Sequence, residues 1–151
     1  MGDFYQNGII TTLHNLSDRP VEELERELVG FSRQRPMALI LPSLFSELEG
    51  AALPTIIDEL VKVPYLSQVV IGLDRADQQQ YGQALAFFDR LPQRHRVLWN
   101  DGPRLQALDQ ELKELDLAPR ELGKGRNVWY CMGSVSYTHL TLPTNRGAGG
   151  G

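Results

Sequence analysis

Apolar residues gather in short blocks along this chain, and their spacing predicts which blocks form strands and which form helices. Residues 37–41 and 69–73 are continuous apolar runs that end abruptly in polar or turn residues. Such runs are typical of strands in a sheet that is covered on both faces. Residues 96–99 form a shorter run, followed by an Asn-Asp-Gly-Pro turn signal. The pattern therefore predicts three strands.

The segments around these strands carry apolar residues at helical spacing. They predict helices after Pro20, over residues 49–61, 77–90 and 105–115, and from Asn127 onward. The resulting order, β-α-β-α-β-α with short connections, favours a doubly wound α/β fold with a mostly parallel sheet and right-handed crossovers. Ligands bind such sheets at the carboxyl ends of the strands, so polar residues there are the first candidates for a site.

Short polar residues before the helices predict their caps. Ser17 or Asp18 is expected near the N-cap of the first helix. Ser46 is expected to cap the second helix, with Glu49 completing a capping box. Asp77 is expected to cap the third, which leaves the nearby Asp74 free for other contacts.

Composition and charge narrow the functional classes. The chain has 151 residues, a net charge of −4 and a single cysteine, Cys131, which is expected to be buried. A mildly negative chain is not expected to bind nucleic acid. Neither a signal peptide nor a run long enough to cross a bilayer is found, so we expect a cytoplasmic protein without a membrane span. His14 and His95 lack partners at ligand spacing, so no metal site is expected in this chain.

Residues at the ends of the first two strands could bind a ligand. Asp74 directly follows the second strand, where its carboxylate could accept hydrogen bonds from a base N–H or from ribose hydroxyls. The alternative role for Asp74 is a helix cap. Pro42, Ser43 and Glu47 follow the first strand, where backbone groups of the loop could bind a nucleoside.

A third group follows the last predicted turn: Gly123-Lys124-Gly125-Arg126-Asn127. The glycines let the backbone fold closely around an anion, Lys124 supplies a point charge, and Arg126 a bidentate donor. The start of the following helix adds its positive dipole end. The alternative is that the segment marks only a turn. It is not a Walker motif, because the upstream glycine spacing is missing.

Other polar and aromatic residues have weaker signals. Asn100 and Asp101 end the third strand, where they could line a pocket or serve as a turn and helix cap. Trp129 and Tyr130 are expected to pack in the core rather than stack on a base.

The last residues of the chain do not resemble a native protein. Residues 135–144 read Val-Ser-Tyr-Thr-His-Leu-Thr-Leu-Pro-Thr, which resembles a translated sequencing-library transposon adapter. We therefore expect residues 1–133 to be the native part, with the natural protein continuing past Gly133. Residues 134–151 are expected to be a non-native, disordered tail whose Tyr137 and His139 belong to no site.

Together, Pro42-Ser43, Asp74 and the segment 123–127 resemble the nucleotide half of the GT-A glycosyltransferases, which have a Rossmann-like fold. The likeness is greatest to bacterial enzymes of the glucosyl-3-phosphoglycerate synthase type, and it covers about residues 1–133. In GT-A families the first strand often ends in Pro-x-x-Asn-Glu. Here the Asn is missing and Phe45-Ser46 intervenes before Glu47, a departure from that pattern.

The resemblance implies that the full-length enzyme transfers a hexose from a nucleotide sugar, with UDP-glucose the expected donor, to 3-phosphoglycerate or a similar small phosphorylated acceptor. Asp74 would hold the nucleoside and Lys124 would lie near the phosphates. The remaining residues of the implied nucleotide-sugar site are Pro42, Ser43, Glu47, Gly125 and Arg126. A homodimer is left open.

The resemblance also implies a divalent ion, Mg²⁺ or Mn²⁺, held by an Asp-x-Asp motif. No Asp-x-Asp occurs in this chain, so the motif is expected beyond Gly133. The acceptor site is expected there as well. We accordingly place no catalytic residue in this chain and expect it to be inactive by itself.

Two other interpretations stay open. A sugar nucleotidyltransferase-like enzyme shares the α/β layout, although the Gly-rich signature expected after its first strand is replaced here by Pro42-Ser43-Leu44-Phe45. A non-catalytic α/β regulatory module would use Asp74 only as a surface aspartate. Stabilisation by UDP would separate a nucleotide-binding enzyme from such a module.

Overall fold

The structure, a computed structural model, describes residues 19–140 of the chain and the side chains of residues 19–136. Six helices and three strands follow one another in this part: α1 (Val21–Gln34), β1 (Met37–Leu44), α2 (Phe45–Leu48), α3 (Ala52–Leu60), β2 (Leu66–Asp74), α4 (Gln78–Phe88), β3 (Arg94–Trp99), α5 (Pro103–Glu114) and α6 (Lys124–Leu140).

The strands form one parallel sheet in the order β1-β2-β3. The predicted α/β class with a parallel sheet is therefore confirmed. Leu44 pairs with Asp74 in the register of β1 and β2, and Leu73 pairs with Trp99 in that of β2 and β3. The carboxyl ends of all three strands consequently lie at one edge of the sheet. Because the order is sequential, the reversal that defines a doubly wound sheet does not occur among the described strands.

The central strand β2 has one apolar face. Val69, Ile71 and Leu73 are fully buried there. Because alternate residues of a strand point to the same side, these three face the same helices. They share a core cluster with Ile57 of α3 and Phe88 of α4. Burial of apolar surface on this side is the main source of stability for the described fold.

The opposite face of β2 is covered by α6, which approaches the strand closely at Gly72. A Cβ built at Gly72 would lie 1.6 Å from Oδ1 of Asn127 and 2.7 Å from Sγ of Cys131. Only glycine therefore fits at this position. Cys131 is fully buried, as predicted. Burial, together with the charge of Asp74, raises the pKa of its thiol to about 12, which makes it a poor nucleophile.

The predicted second helix differs from the structure at its start. It is divided into α2 and α3, and α2 begins at Phe45, directly after β1. Ser46 therefore lies inside the first turn and cannot be the N-cap, so the predicted capping box of Ser46 with Glu49 is wrong. Glu47 takes that role instead, because its Oε2 accepts the backbone N–H of Leu44 at 2.9 Å.

The predicted cap of the next helix is confirmed. Asp77 Oδ1 accepts the backbone N–H of Gln80 at 2.8 Å, and Gln80 Oε1 accepts the N–H of Asp77 at 2.8 Å. This reciprocal pair is a capping box at the start of α4. Ser17 and Asp18, expected near the first N-cap, lie outside the described residues.

The last helix also departs from the prediction at both ends. α6 begins at Lys124, three residues before the predicted start. It continues through Leu140, so residues 134–140 are helical rather than part of a disordered tail; residues 141–151 lie outside the described residues. Of the helices in the described part, none is both long and apolar enough to span a membrane.

Candidate functional site

A cleft of about 810 Å³ opens at the edge of the sheet where the strands end. Residues from the ends of all three strands line it, together with α5 and the first turns of α6. It brings together six of the seven residues predicted for the nucleotide-sugar site: Pro42, Ser43, Glu47, Asp74, Lys124 and Arg126. Gly125, the seventh, is exposed and is not among the residues that line the cleft.

Asp74 ends β2 and is held by two amides. Its Oδ1 accepts a hydrogen bond from Nδ2 of Asn100 at 2.7 Å, and its Oδ2 accepts one from Nδ2 of Asn127 at 3.0 Å. The alternative role as a helix cap is not observed, since Asp77 caps α4. An ionised carboxylate offers about four acceptor positions. Asp74 therefore keeps acceptor capacity for a ligand in the cleft.

Asn100, directly after β3, forms part of the cleft wall. It is 5% exposed, and its backbone N–H donates to the carbonyl of Leu73 at 2.9 Å. Its Nδ2 is occupied by Asp74, so its Oδ1 faces away from that carboxylate. Within the described residues, this buried oxygen has no hydrogen-bond partner. A buried acceptor without a partner is uncommon in folded proteins and is often a sign of a functional position.

The loop between β2 and α4 is fixed by Trp99, the last residue of β3, and by Asp101, which follows that strand. Nε1 of Trp99 donates to the carbonyl of Ala76 at 2.7 Å, and Oδ2 of Asp101 accepts the N–H of Ala76 at 3.1 Å. Trp99 also stacks on Tyr81, with ring centroids 4.9 Å apart. Arg75 has a φ of 56°, a left-handed conformation that is costly for a residue with a Cβ. These contacts hold that backbone in place beside Asp74.

Ser43, near the end of β1, and Glu47, in α2, form a pair at the junction of the strand and the helix. The Ser43 hydroxyl donates to Oε2 of Glu47 at 3.1 Å and lies 3.2 Å from the Leu44 carbonyl. The same carboxylate oxygen accepts the Leu44 N–H. Ser43 is 3% exposed, whereas Glu47 is exposed at the cleft. The Ser43 and Glu47 side chains are thus already engaged with each other, and the contribution of this junction to binding is mainly the shape of its backbone.

The Gly-Lys-Gly-Arg segment is the first turn of α6 rather than a loop ahead of it. Gly123 has a φ of +146°, which a residue with a Cβ rarely adopts, and its carbonyl accepts the N–H of Asn127 at 3.2 Å. The first N–H groups of a helix lack partners within the helix and attract anions. Lys124 is exposed at the cleft, and no partner for it is found in the described part of the chain.

Arg126 belongs to a charged cluster with α5 that sequence reasoning missed. Asp109 accepts hydrogen bonds from Tyr130 Oη at 2.5 Å and from Arg126 Nη1 at 3.4 Å, and Lys113 Nζ lies 2.6 Å away. Burial opposes ionisation of Asp109, but the hydrogen bonds of Lys113 and Tyr130 and the charges of Lys113 and Arg126 outweigh it, and the pKa of Asp109 is lowered. Burial and the bond to Asp109 raise the pKa of Tyr130 to about 12.

The two aromatic predictions have different outcomes. Tyr130, in α6, is 6% exposed and therefore buried, as predicted, although it also lines the cleft. Trp129 is 40% exposed and touches the edge of the Tyr130 ring, so its placement in the core is wrong. The helix turns about 100° per residue, and this turn directs Trp129 away from the face on which Tyr130 and Cys131 are buried.

Several residues of the cleft were not predicted to belong to a site, among them Asn127, Asp109 and Arg75. Asn127 stands in the same short motif as Lys124, so its place beside the cleft could have been inferred once the helix start was known. Asp109 lies within a helix and has no signal in the sequence beyond its spacing to Lys113.

The described residues do not form a metal site. No group of three or more His, Cys, Asp or Glu side chains among them could hold a metal ion. Two half-buried carboxylates of the cleft are occupied, Asp74 by amides and Asp109 by cations and a phenol. The residues present here therefore do not fit a bound divalent ion, and we derive no step through one.

Two curated proteins resemble this chain over most of its length. A curated glucosyl-3-phosphoglycerate synthase from Persephonella marina is 45% identical over 135 residues, which are 89% of this chain and 34% of that protein. One from Methanococcoides burtonii is 40% identical over 134 residues, 87% of this chain and 32% of that protein. The chain thus spans about a third of the length of the curated relatives it matches. No family model and no solved structure matches it. The resemblance inferred from the sequence is confirmed by these relatives.

Proposed function

We propose that this chain is the nucleotide-sugar-binding part of a glycosyltransferase that transfers glucose to 3-phosphoglycerate. The observation that carries the proposal is the convergence of Pro42-Ser43, Asp74 and Lys124 on one cleft, in a chain 40–45% identical to two glucosyl-3-phosphoglycerate synthases. Such a cleft, with a carboxylate at one side and a helix N-terminus with a free cation at another, suits a ligand that has hydrogen-bond donors at one end and phosphates at the other.

In this proposal the two ends of the nucleotide bind different parts of the cleft. Asp74 accepts hydrogen bonds from the nucleoside, and the first turn of α6 with Lys124 binds the diphosphate. Arg126 is held by Asp109, so its charge contributes to the potential at the cleft before any contact with phosphate. The junction of β1 and α2, at Ser43 and Glu47, encloses the nucleoside through its backbone.

The finer assignments extend the same proposal. The donor is UDP-glucose, and the full-length protein works in the cytoplasm with Mg²⁺ or Mn²⁺ held by an Asp-x-Asp motif beyond Gly133. The acceptor also binds beyond Gly133, and residues 134–151 are foreign to the natural protein. This chain alone then binds nucleotide weakly and transfers no glucose.

Nucleotide binding is the first test of the proposal. Titration of the purified chain with UDP, GDP, ADP and CDP, by calorimetry and by thermal shift, should detect binding and a raised melting temperature for at least UDP. A regulatory module would respond to none of them. A nucleotidyltransferase-like enzyme would bind the triphosphates more tightly than the diphosphates.

The transfer reaction itself requires the natural gene. Sequencing it across the codon for Gly133 should reveal an open frame with an Asp-x-Asp motif, and the encoded protein should transfer glucose to 3-phosphoglycerate. If the codons after Gly133 differ from those of the adapter, the hypothesis that residues 134–151 are foreign is wrong. The present chain is expected to be inactive. If it transfers sugar faster than its Lys124→Ala variant, that expectation is wrong.

A further inference from the structure

Asn127 lies between the two parts of the cleft that the proposed function uses. Its side chain is 2% exposed. Nδ2 donates to the carbonyl of Gly72 at 2.8 Å and to Oδ2 of Asp74 at 3.0 Å. Because Asn127 is in the first turn of α6, three residues after Lys124, one side chain connects β2, Asp74 and the helix start that carries the free cation.

The chemistry of the three side chains fixes how they pair. An ionised carboxylate only accepts, so the amide groups of Asn100 and Asn127 must present Nδ2 to Asp74. Each amide engages a different oxygen, Oδ1 by Asn100 and Oδ2 by Asn127. Rotation of the carboxylate would break both bonds, so its orientation at the cleft is set by the two amides.

The surroundings of Asn127 leave little room for another arrangement. Its Oδ1 lies 3.5 Å from Sγ of Cys131, and a Cβ at Gly72 would overlap that Oδ1. The side chain is therefore enclosed by β2 and α6. It reaches Asp74 from the helix side, opposite the strand β3 that supplies Asn100.

We propose that Asn127 is the positioning residue for Asp74: together with Asn100 it holds the carboxylate in the orientation that binds the nucleoside, and it acts on the nucleotide only through Asp74. This inference rests on the proposed function, because that function gives Asp74 its role. It deepens the function by coupling the helix that binds the phosphates to the residue that binds the nucleoside.

A double-mutant cycle on UDP affinity tests this coupling. Asn127→Ala should weaken UDP binding about tenfold, the loss expected for one hydrogen bond to a charged group. Asp74→Ala should weaken it at least as much, and adding Asn127→Ala to Asp74→Ala should change nothing further. Binding of pyrophosphate, which lacks the nucleoside, should be the same in all four proteins.

Two further variants separate positioning from packing. Asn127→Asp keeps the shape of the side chain but cannot donate when ionised, so it should lose UDP affinity as Asn127→Ala does. Cys131→Ala removes a buried side chain from the same face of α6 and should leave UDP affinity unchanged. If Asn127→Ala does not fold, Asn100→Ala, which removes the other donor, replaces it in the cycle.

The outcomes separate this inference from the proposed function. If UDP binds but the effects of Asn127→Ala and Asp74→Ala add up, or if pyrophosphate binding falls equally, the inference is wrong and the function stands. If the unmodified chain binds no nucleoside diphosphate, the function fails. The same cycle measured on urea unfolding then decides whether Asn127 holds Asp74: non-additive effects support it, and additive effects overturn it.

Discussion

The two faces of β2 are built from alternate residues of one strand, yet they differ in chemistry and in use. Val69, Ile71 and Leu73 point into an apolar core shared with α3 and α4. Gly72 lies on the other face, where α6 brings the buried amide of Asn127 against the strand. The first face stabilises the fold by burial of apolar side chains. On the second face Gly72 has no side chain, which leaves room for the polar side chain of Asn127 beside the cleft.

Stability and ligand binding can thus be separated within a single strand. Burial of apolar surface has no preferred direction, so the apolar face does not depend on the orientation of particular groups. The polar side depends on hydrogen bonds of 2.7–3.0 Å around Asp74, which a small displacement of α6 would break. Substitutions on the two faces should therefore differ in whether they change stability, UDP affinity or both.

The apolar face should respond through stability alone. Phe88→Ala removes a fully buried ring from the core and should lower the free energy of unfolding by about 4 kcal/mol, measured by urea denaturation. Leu85→Ala, on the same helix at 42% exposure, should cost less than about 1 kcal/mol. UDP affinity of the folded protein should be unchanged in both. A folded Phe88→Ala protein that cannot bind UDP would contradict the separation of the two faces.

The polar face should respond through both stability and binding. Gly72→Ala forces a methyl group onto Asn127 and should cost about 3 kcal/mol, while displacement of α6 abolishes UDP binding. Gly82→Ala in α4 is the matched control, because open space surrounds that glycine. It should stabilise the protein by about 0.5 kcal/mol and leave binding unchanged. Normal UDP binding by Gly72→Ala would show that the close approach of α6 is not needed.

The helix start should respond through binding alone. Lys124→Ala should weaken UDP binding about tenfold and leave uridine binding and unfolding unaltered, because in the proposed function Lys124 contacts only the phosphates. Calorimetry at two salt concentrations should show a smaller salt dependence in the variant. Lys62→Ala, which removes an exposed lysine paired with Glu59 outside the cleft, is the control. Equal losses in the two variants would point to net charge rather than a local contact.

The ionisation of the Tyr130 hydroxyl should change the free energy of unfolding only at high pH. Its pKa is raised in the folded protein to about 12, against about 10 in the unfolded chain. A group with a raised folded pKa stabilises the fold below its unfolded pKa, so this contribution is complete below about pH 10 and is lost as pH rises toward 12. The stability difference between wild type and Tyr130→Phe should therefore shrink over that window in urea unfolding. A difference that stays constant up to pH 12 would show that the hydroxyl does not titrate with folding.

Much of the fold could be predicted from local patterns. The continuous apolar runs gave the strands, and the capping box at Asp77 followed from residue types at fixed spacing. The positions of Asp74 and Pro42-Ser43 at strand ends placed them at one edge of a parallel sheet, and both line the cleft. These predictions succeeded because each depends on a few neighbouring residues and on the period of a strand or helix.

Other features depend on contacts between distant segments. The sequence predicted Lys124 as a phosphate ligand in a loop, but it could not show that the helix starts at this residue. Nor could it assign Asn127 to Asp74, since the two are far apart in the chain and an asparagine carries no periodic signal. The pairing of Asp109 with Tyr130 and Arg126 was missed for the same reason.

Local sequence patterns were enough to predict the α/β class, the parallel strands, the strand-end candidates and the likeness to glucosyl-3-phosphoglycerate synthases. The tertiary structure was needed to show that α6 brings a buried amide against Gly72, on the face of β2 that also carries Val70. The physical reason is that packing α6 against Gly72 buries an amide that must then find partners, and the carbonyl of Gly72 and the carboxylate of Asp74 are the acceptors within its reach. Local propensities cannot encode that requirement, because it arises only when the helix and the strand meet.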